Sequence, residues 1–465
     1  MSSPVVLKSF SDVIKSGLII TPVVSHEQKW GDICDDDADI VNDSTATPSY
    51  QASPYERRGR YQHNILQDDL PDIYRDNSYI KCVDIEESTG LHLFAHTACT
   101  NEDTSITKQC RGNVYKGKKL IAKSFDYVPE YSQEVFDTDV VHDDLSNYVC
   151  FPAYEGTLVR VFCFEGVWKI STHKRLNAFS SKWCGKLSYG EIFINCVCKH
   201  FGYKVSEWEQ FFDKLDNDKI YGFLLMSTDD NRIVVKGREY DMLHVGTFSR
   251  SDNFSLDIHN DIGVDHPDII GVKSKADLVT YVSNVDITKT QGVFLVNKTT
   301  LSVIKILNKE YKQLYDIRGN EPSVKYRYLQ IRHDSLMIDN IRKLYPSSVK
   351  WFDLYESVLN EASIDIFNAY ATRYIIGDYI NIPSKEYTIM ITCRGVVEKN
   401  RGTLDLQTVV DIVNKQSPTN LNKIIKERCF NSTKTDCYKT PGRSFYYGTV
   451  PSKTGLFDRV NQPDE

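Results

Sequence analysis

The sequence predicts an α+β protein: a body of short antiparallel strands with flanking helices, followed by a helical C-terminal region. Three observations carry this. Between residues 79 and 332, β-branched and aromatic runs are punctuated by turn residues; two Ser-x-x-Glu sequences announce helices among them; and beyond residue 333 apolar residues recur every three or four positions. The chain of 465 residues is 41% hydrophobic and 26% charged, enough for two or three domains with ordinary cores. Wholesale disorder, collagen and a disulfide scaffold are excluded.

Taken in order, residues 1–78 form an N-terminal segment. From residue 30 it carries an acidic cluster (Asp35, Asp36, Asp37, Asp39) and a basic patch (Arg57, Arg58, Arg60) without periodicity, and reads as a mobile arm or linker. The body, 79–332, holds three expected hairpins. Thr157–Phe164 and Val167–Thr172 flank Glu165-Gly166; Tyr221–Ser227 and Arg232–Val235 flank Asp229-Asp230-Asn231; Val293–Val296 and Ser302–Leu307 are joined through residues 297–300. Capping boxes Ser188/Glu191 and Ser206/Glu209 start two helices. The first should present Phe193, Cys196, Val197 and His200 along one side, and the second should bury Trp208, Phe211, Phe212 and Leu215.

Residues 333–428 read as a helical domain, with Phe352, Tyr355, Leu359, Ala362 and Ile366 on one face and another helix near Leu404–Asn414. The tail, 429–465, is polar and expected to be only partly ordered. No stretch is long and apolar enough to span a membrane, and no signal-peptide pattern opens the chain, so we expect no membrane partner. The twelve cysteines are therefore expected to be reduced thiols in an intracellular, cytoplasmic protein.

No metal site is expected. Cys196, Cys198 and His200 fall on a helix, where positions i and i+2 point apart; His92, His96 and Cys99 fall on a strand-like run, where four residues span about 13 Å. Nucleophile elbow, P-loop and His-Glu-x-x-His patterns are absent from the sequence. The net charge of −7 argues against a surface that coats nucleic acid everywhere, so any such site must be local. Two tracts fit. Between Gly166 and Gly190 lie Lys169, Lys174, Arg175, Lys182 and Lys186 with no acid, and between Lys298 and Arg332 eight basic residues face three acidic ones. With Trp168, Trp183, Tyr189, Tyr326 and Tyr328 nearby they could track phosphates and stack bases; solvated strand faces are the equal alternative.

Four segments then occur in a telling order: Arg111-Gly112-Asn113-Val114-Tyr115 followed by Lys119–Tyr131; Glu155-Gly156-Thr157-Leu158-Val159; Phe223–Val235 with Asn231-Arg232-Ile233-Val234-Val235; and Gln291-Gly292-Val293 leading to Ile304-Lys305-Ile306. Over residues 105–330 they resemble the phage-type RNA ligases, within the covalent nucleotidyltransferase superfamily that also holds DNA ligases and capping enzymes. The stretch Glu155–Ser181 also resembles ligase-like proteins of large DNA viruses.

The resemblance implies a nucleotidyltransferase (RNA ligase-like) domain and, in an active member, ATP and Mg as cofactors. There a lysine of a Lys-x-acid-Gly motif attacks the α-phosphate of ATP, and the adenylate passes to a 5′-phosphate end. Here the tetrapeptide is Ala153-Tyr154-Glu155-Gly156, and a methyl group cannot form a phosphoramidate. The acid of the strand before Asn231 falls near Leu224 or Leu225, the acid of the Glu-Gly strand is Gln291, and of a paired Lys-x-Lys only Lys305 remains, Leu307 taking the second place. Arg111 and Gly112 are retained, and Asn231, Arg232 and Gly292 stand in the matching segments as motif positions.

Three functions follow. The chain is a catalytically degenerate ligase-fold protein binding RNA ends or a nucleotide, with Arg111, Lys123, Arg160, Lys174, Arg175, Lys182, Lys305, Arg318 and Arg327 as candidate contacts; or an active ATP-dependent RNA ligase whose lysine has moved to Lys123, Lys169 or Lys174; or a viral structural or interaction protein using the fold as scaffold, in the host cytoplasm.

Overall fold

The computed structural model describes residues 71–74, 77–133 and 144–431. The acidic cluster at 35–39, the basic patch at 57–60 and the tail beyond Asn431 lie outside the described residues. Within them the expected α+β architecture is present. β1 (Ile80–Glu86), β2 (Leu91–His96), β3 (Arg111–Lys116) and β4 (Lys119–Ala122) form an antiparallel sheet in sequence order, with α1 (Ser105–Gln109) between β2 and β3.

β5 (Glu130–Ser132) and β6 (Tyr148–Ala153) belong to a second sheet, completed by strands from much later in the chain. β7 (Gly156–Phe164) and β8 (Val167–Ser171) form the first expected hairpin, closed by Glu165 (φ 53°) and Gly166 (φ 80°), both left-handed, as a tight two-residue turn requires. α2 (Tyr189–Phe201) starts at the expected capping box: the Ser188 hydroxyl accepts from Glu191 N–H, and the Glu191 carboxylate accepts from Ser188 N–H at 2.7 Å. Phe193, Cys196 and Val197 are buried, but His200 is exposed, its Nε2 2.7 Å from the Gly263 carbonyl.

The next helix departs from expectation. It is a 3-10 helix, Val205–Lys214, capped two residues early: the Glu207 carboxylate, not Glu209, accepts from the backbone N–H of Lys204. Its Phe211 is nevertheless fully buried against Phe193 and Phe223, with Trp208, Phe212 and Leu215 packed around it. β9 (Lys219–Met226), β10 (Met242–Ser249) and β11 (Ser255–Asp257) complete a five-stranded sheet of order β11-β10-β9-β7-β8.

The second expected hairpin is not formed, because β9 pairs with β7 on one side and β10 on the other, leaving no edge for residues 232–235. The N–H groups of Ile233, Val234 and Val235 go elsewhere, to a carboxylate described below. α3 (Lys275–Ser283) covers the second sheet, whose hairpin β12 (Gly292–Asn297) and β13 (Val303–Leu307) forms as expected; its order is β5-β13-β12-β6, with β5 parallel to β13.

Period-two alternation divides the faces of these sheets. Val293, Leu295 and Ile306 join Leu278 and Val282 of α3 in a core, so the intervening Phe294, Val296 and Lys305 face the opposite way. In β7, Val159 and Val161 pack with α2, whereas Phe162 meets Leu91, Leu93 and Val114 of the first sheet.

α4 (Lys309–Arg318), α5 (Val324–Ile331), α6 (Ser335–Leu344), α7 (Val349–Ala371), α8 (Ser384–Asn400), α9 (Leu406–Asn414) and α10 (Pro418–Asn431) follow, with a π-helical turn at Thr372–Ile376. All five expected α7 residues, Phe352 to Ile366, are buried in one core. That core also draws in Tyr328, Leu329 and Ile331, which precede residue 333, and the Tyr328 ring stacks on Phe352 with centroids 4.4 Å apart.

Candidate functional site

Between the five-stranded sheet and the second sheet lies a cavity of about 520 Å3, within the range of small-molecule sites. Its walls follow from the alternation above. Leu158 and Leu224 come from one sheet, Phe151, Phe294, Val296, Val303 and Lys305 from the other, and Phe125 and Tyr127 from the segment between β4 and β5. A further wall comes from residues 172–189, within the acid-free tract, which contribute His173, Lys174, Lys182, Trp183 and Tyr189; Arg111 also lines the cavity, as do Ile258, His259 and His266.

This wall is held by a buried bracket. Gly112 adopts φ +95°, and a Cβ there would stand 2.6 Å from the His173 Cα, so only glycine permits the close approach. Arg160 donates from Nη1 to the Gly112 carbonyl at 2.5 Å and from Nε to Ser171 Oγ at 3.1 Å, tying the start of β3 to the end of β8. Arg160 is therefore buried rather than available to phosphate, and burial pushes its guanidinium down to about 9.

Of the tetrapeptide 153–156, Tyr154, Glu155 and Gly156 line the cavity. Ala153 is fully buried and registers opposite Gly292, where a Cβ would meet the Ile306 carbonyl. Glu155 lines the cavity yet is only 4% exposed. Its Oε1 accepts from the N–H of Ile233, and its Oε2 accepts from Val234 N–H at 2.9 Å, Val235 N–H at 3.2 Å and the Tyr311 hydroxyl at 3.1 Å. Three consecutive N–H groups converge on one carboxylate, an arrangement a strand pairing could not give, since successive N–H groups of a strand point to opposite sides.

The other positions sort clearly. Arg111, Lys174, Lys182, Asn231, Gln291 and Lys305 line the cavity with Glu155 and Gly156. Gln291 donates from Nε2 to the Tyr154 carbonyl at 3.1 Å, Lys305 is paired with Glu130 at 2.7 Å, and Asn231 Oδ1 accepts from Thr228 N–H at 2.6 Å. Arg232 turns away, its guanidinium donating to the Leu344 carbonyl and lying over the Tyr345 ring. Arg318 is fully buried, donating to Tyr345 and to backbone carbonyls, and Arg327 donates to the Ile317 and Asp316 carbonyls at the end of α4. Neither Arg318 nor Arg327 lines the cavity, nor does Arg175, which faces Asp84 at 3.4 Å. Of the relocated-lysine candidates, Lys169 is paired with Glu86 at 2.7 Å and Lys123 lies over the Phe248 ring; only Lys174 reaches the cavity.

Sequence reasoning missed Glu130, Tyr127, Phe294 and Tyr311. Phe294 was legible from alternation along its hairpin, but Glu130 meets Lys305 only through a parallel pairing 175 residues apart in sequence, for which no local pattern exists. Burial, reinforced by Glu130, pushes the Tyr127 phenol up to about 12, so it stays a donor.

Among the described residues no group of three or more His, Cys, Asp or Glu is placed to hold a metal, none of the ten described cysteines is in a disulfide, and no helix is long and apolar enough to cross a membrane.

No protein-family profile matches the chain. In sequence it is similar to an immediate-early protein ICP-46 homolog of Invertebrate iridescent virus 6, 24% identical over 75% of this chain and 83% of that one. It is also similar to immediate-early protein ICP-46 of Frog virus 3, 26% identical over 50% and 62%. Similar solved structures include an archaeal ATP-dependent RNA ligase (TM-score 0.34, 11% identity, 76% of this chain and 92% of that one) and a putative ATP-dependent DNA ligase from Aquifex aeolicus (0.34, 10%, 70% and 78%). The relatives are viral proteins, and these two solved structures are described as ATP-dependent ligases.

Proposed function

We propose that this protein is a catalytically degenerate, RNA ligase-like binding protein that takes an RNA end or a nucleotide in the cavity without forming a covalent nucleotidyl intermediate. The observation that supports this most directly is the fate of the tetrapeptide: a fully buried alanine stands where the nucleophile belongs, and the neighbouring carboxylate has both oxygens committed to the protein's own N–H and O–H groups. Binding is supported by what remains, an aromatic cavity with Arg111, Lys174 and Lys182 on one wall. The viral relatives, designated immediate-early proteins, support a role inside the infected cell.

The test is incubation with α-labelled ATP and GTP and divalent metal, followed by denaturing electrophoresis, beside equilibrium binding of a 5′-phosphorylated oligoribonucleotide. No covalent label, together with binding whose salt slope flattens by about one to two on neutralising Lys174 and Lys182, is the expected result. One observation favours a second reading: Lys174 lines the cavity, so an active enzyme with a relocated lysine would use it. A covalent label lost in Lys174→Ala would establish that enzyme; no label and no binding would leave the fold as a scaffold.

A further inference from the structure

We propose that the cavity takes its phosphate-bearing ligand without a divalent metal ion, the phosphate charge being met by Arg111, Lys174 and Lys182. This rests on the binding role proposed above and departs from the Mg dependence that the ligase resemblance implies.

The donor set does not fit Mg. Magnesium is a hard cation that prefers carboxylate and phosphate oxygens in near-ideal octahedral geometry, usually taking one or two carboxylates from the protein. Two carboxylates line this cavity, Glu130 and Glu155. Glu155 accepts four hydrogen bonds, one on Oε1 and three on Oε2. Releasing it to a metal would strand three backbone N–H groups in a buried turn. Glu130 holds the Lys305 ammonium at 2.7 Å, so its charge is already matched. Where the resemblance calls for further acids stand Leu224, which offers no donor, and Gln291, whose amide is neutral and already donates to Tyr154.

The opposite charge is in place. Residues 172–183 contain no acid and supply Lys174 and Lys182 to the wall, and Arg111 joins them from β3. Among the described residues Arg111 and Lys182 make no ion pair. A guanidinium and two ammonium groups facing a cavity lined by Phe125, Tyr127, Phe151 and Phe294 suit a planar base carrying phosphate.

The experiment is calorimetric titration of the full-length protein with ATP, GTP and a 5′-phosphorylated oligoribonucleotide, each in EDTA and in excess MgCl2. The expected result is binding of at least one probe with affinities in the two buffers within about threefold, and at least about tenfold weaker binding by the Arg111→Gln, Lys182→Gln double variant in EDTA. Binding by the oligoribonucleotide alone would support the proposal and identify the phosphate as that of an RNA end. Affinity raised about tenfold or more by Mg would overturn the metal-free proposal while leaving the binding role standing. Binding in neither buffer would overturn both. Should the double variant fail to fold by circular dichroism, the wild-type comparison between buffers decides alone.

Discussion

The hydroxyl of Tyr311 donates to the carboxylate of Glu155 at 3.1 Å, joining residues 156 apart in sequence, both buried. The same carboxylate gathers the N–H groups of Ile233, Val234 and Val235, so a position that resembles a catalytic acid acts here as a fold anchor. Glu155→Ala should lower unfolding stability by more than about 3 kcal/mol, since it orphans buried donors, and Tyr311→Phe by about 1.5–3 kcal/mol. Urea unfolding measures both; a Glu155→Ala protein as stable as wild type would return Glu155 to a site role.

On the proposed ligase-like reading, placing a lysine at position 153 should not produce covalent chemistry. Ala153 has no exposed surface, and its strand partner is Gly292, so Ala153→Lys forces an amine into a packed position. We expect loss of stability and no labelled protein with α-labelled ATP. A labelled Ala153→Lys protein would mean that the missing acids are not needed.

In the helical region Arg428 bridges Glu386, through bonds of 2.6 and 2.7 Å, and Asp365 at 2.9 Å, while the Glu386 side chain is 1% exposed. Arg428→Ala should cost about 3–5 kcal/mol by removing two charge-assisted hydrogen bonds from the buried Glu386 carboxylate, whereas Arg428→Met with Glu386→Leu should recover most of it. Thermal unfolding of the two proteins, side by side, is the check.

His244 is fully buried, its Nε2 2.9 Å from Thr247 Oγ1 and its ring 4.8 Å from that of His266. Burial, helped by His266, pushes it down from 6.5 to about 4. Between those values the unfolded chain binds a proton that the folded one does not. The contribution is complete above pH 6.5 and is lost as pH falls toward 4, by up to about 3 kcal/mol. Denaturant midpoints at pH 7 and 4.5 should fall further apart in wild type than in His244→Gln; equal spacing would show that another group governs the acid limb.

Local chemistry was readable without the structure wherever neighbours in sequence are neighbours in space. The Glu165-Gly166 turn, the Ser188/Glu191 cap, the β12–β13 hairpin and the apolar stripe from Phe352 to Ile366 all depend on contacts within a few residues, and all formed. The Ser206/Glu209 box failed because Glu207 takes the same role two residues earlier, capping Lys204.

By itself, then, the sequence determined the α+β class, the strand and helix periods, the acid-free tract and the absence of a lysine at position 153, since composition and spacing suffice for these. Tertiary structure alone decided which charges face the cavity. Lys169 and Lys182 lie in the same acid-free tract, yet one is paired with Glu86 and the other lines the wall. A basic residue's role depends on which face of a packed strand it occupies and what backbone lies opposite, and that is set by strand order and long-range register. The same reason governs Glu155: four partners reach it from residues 233–235 and 311, and only folding brings their donors together.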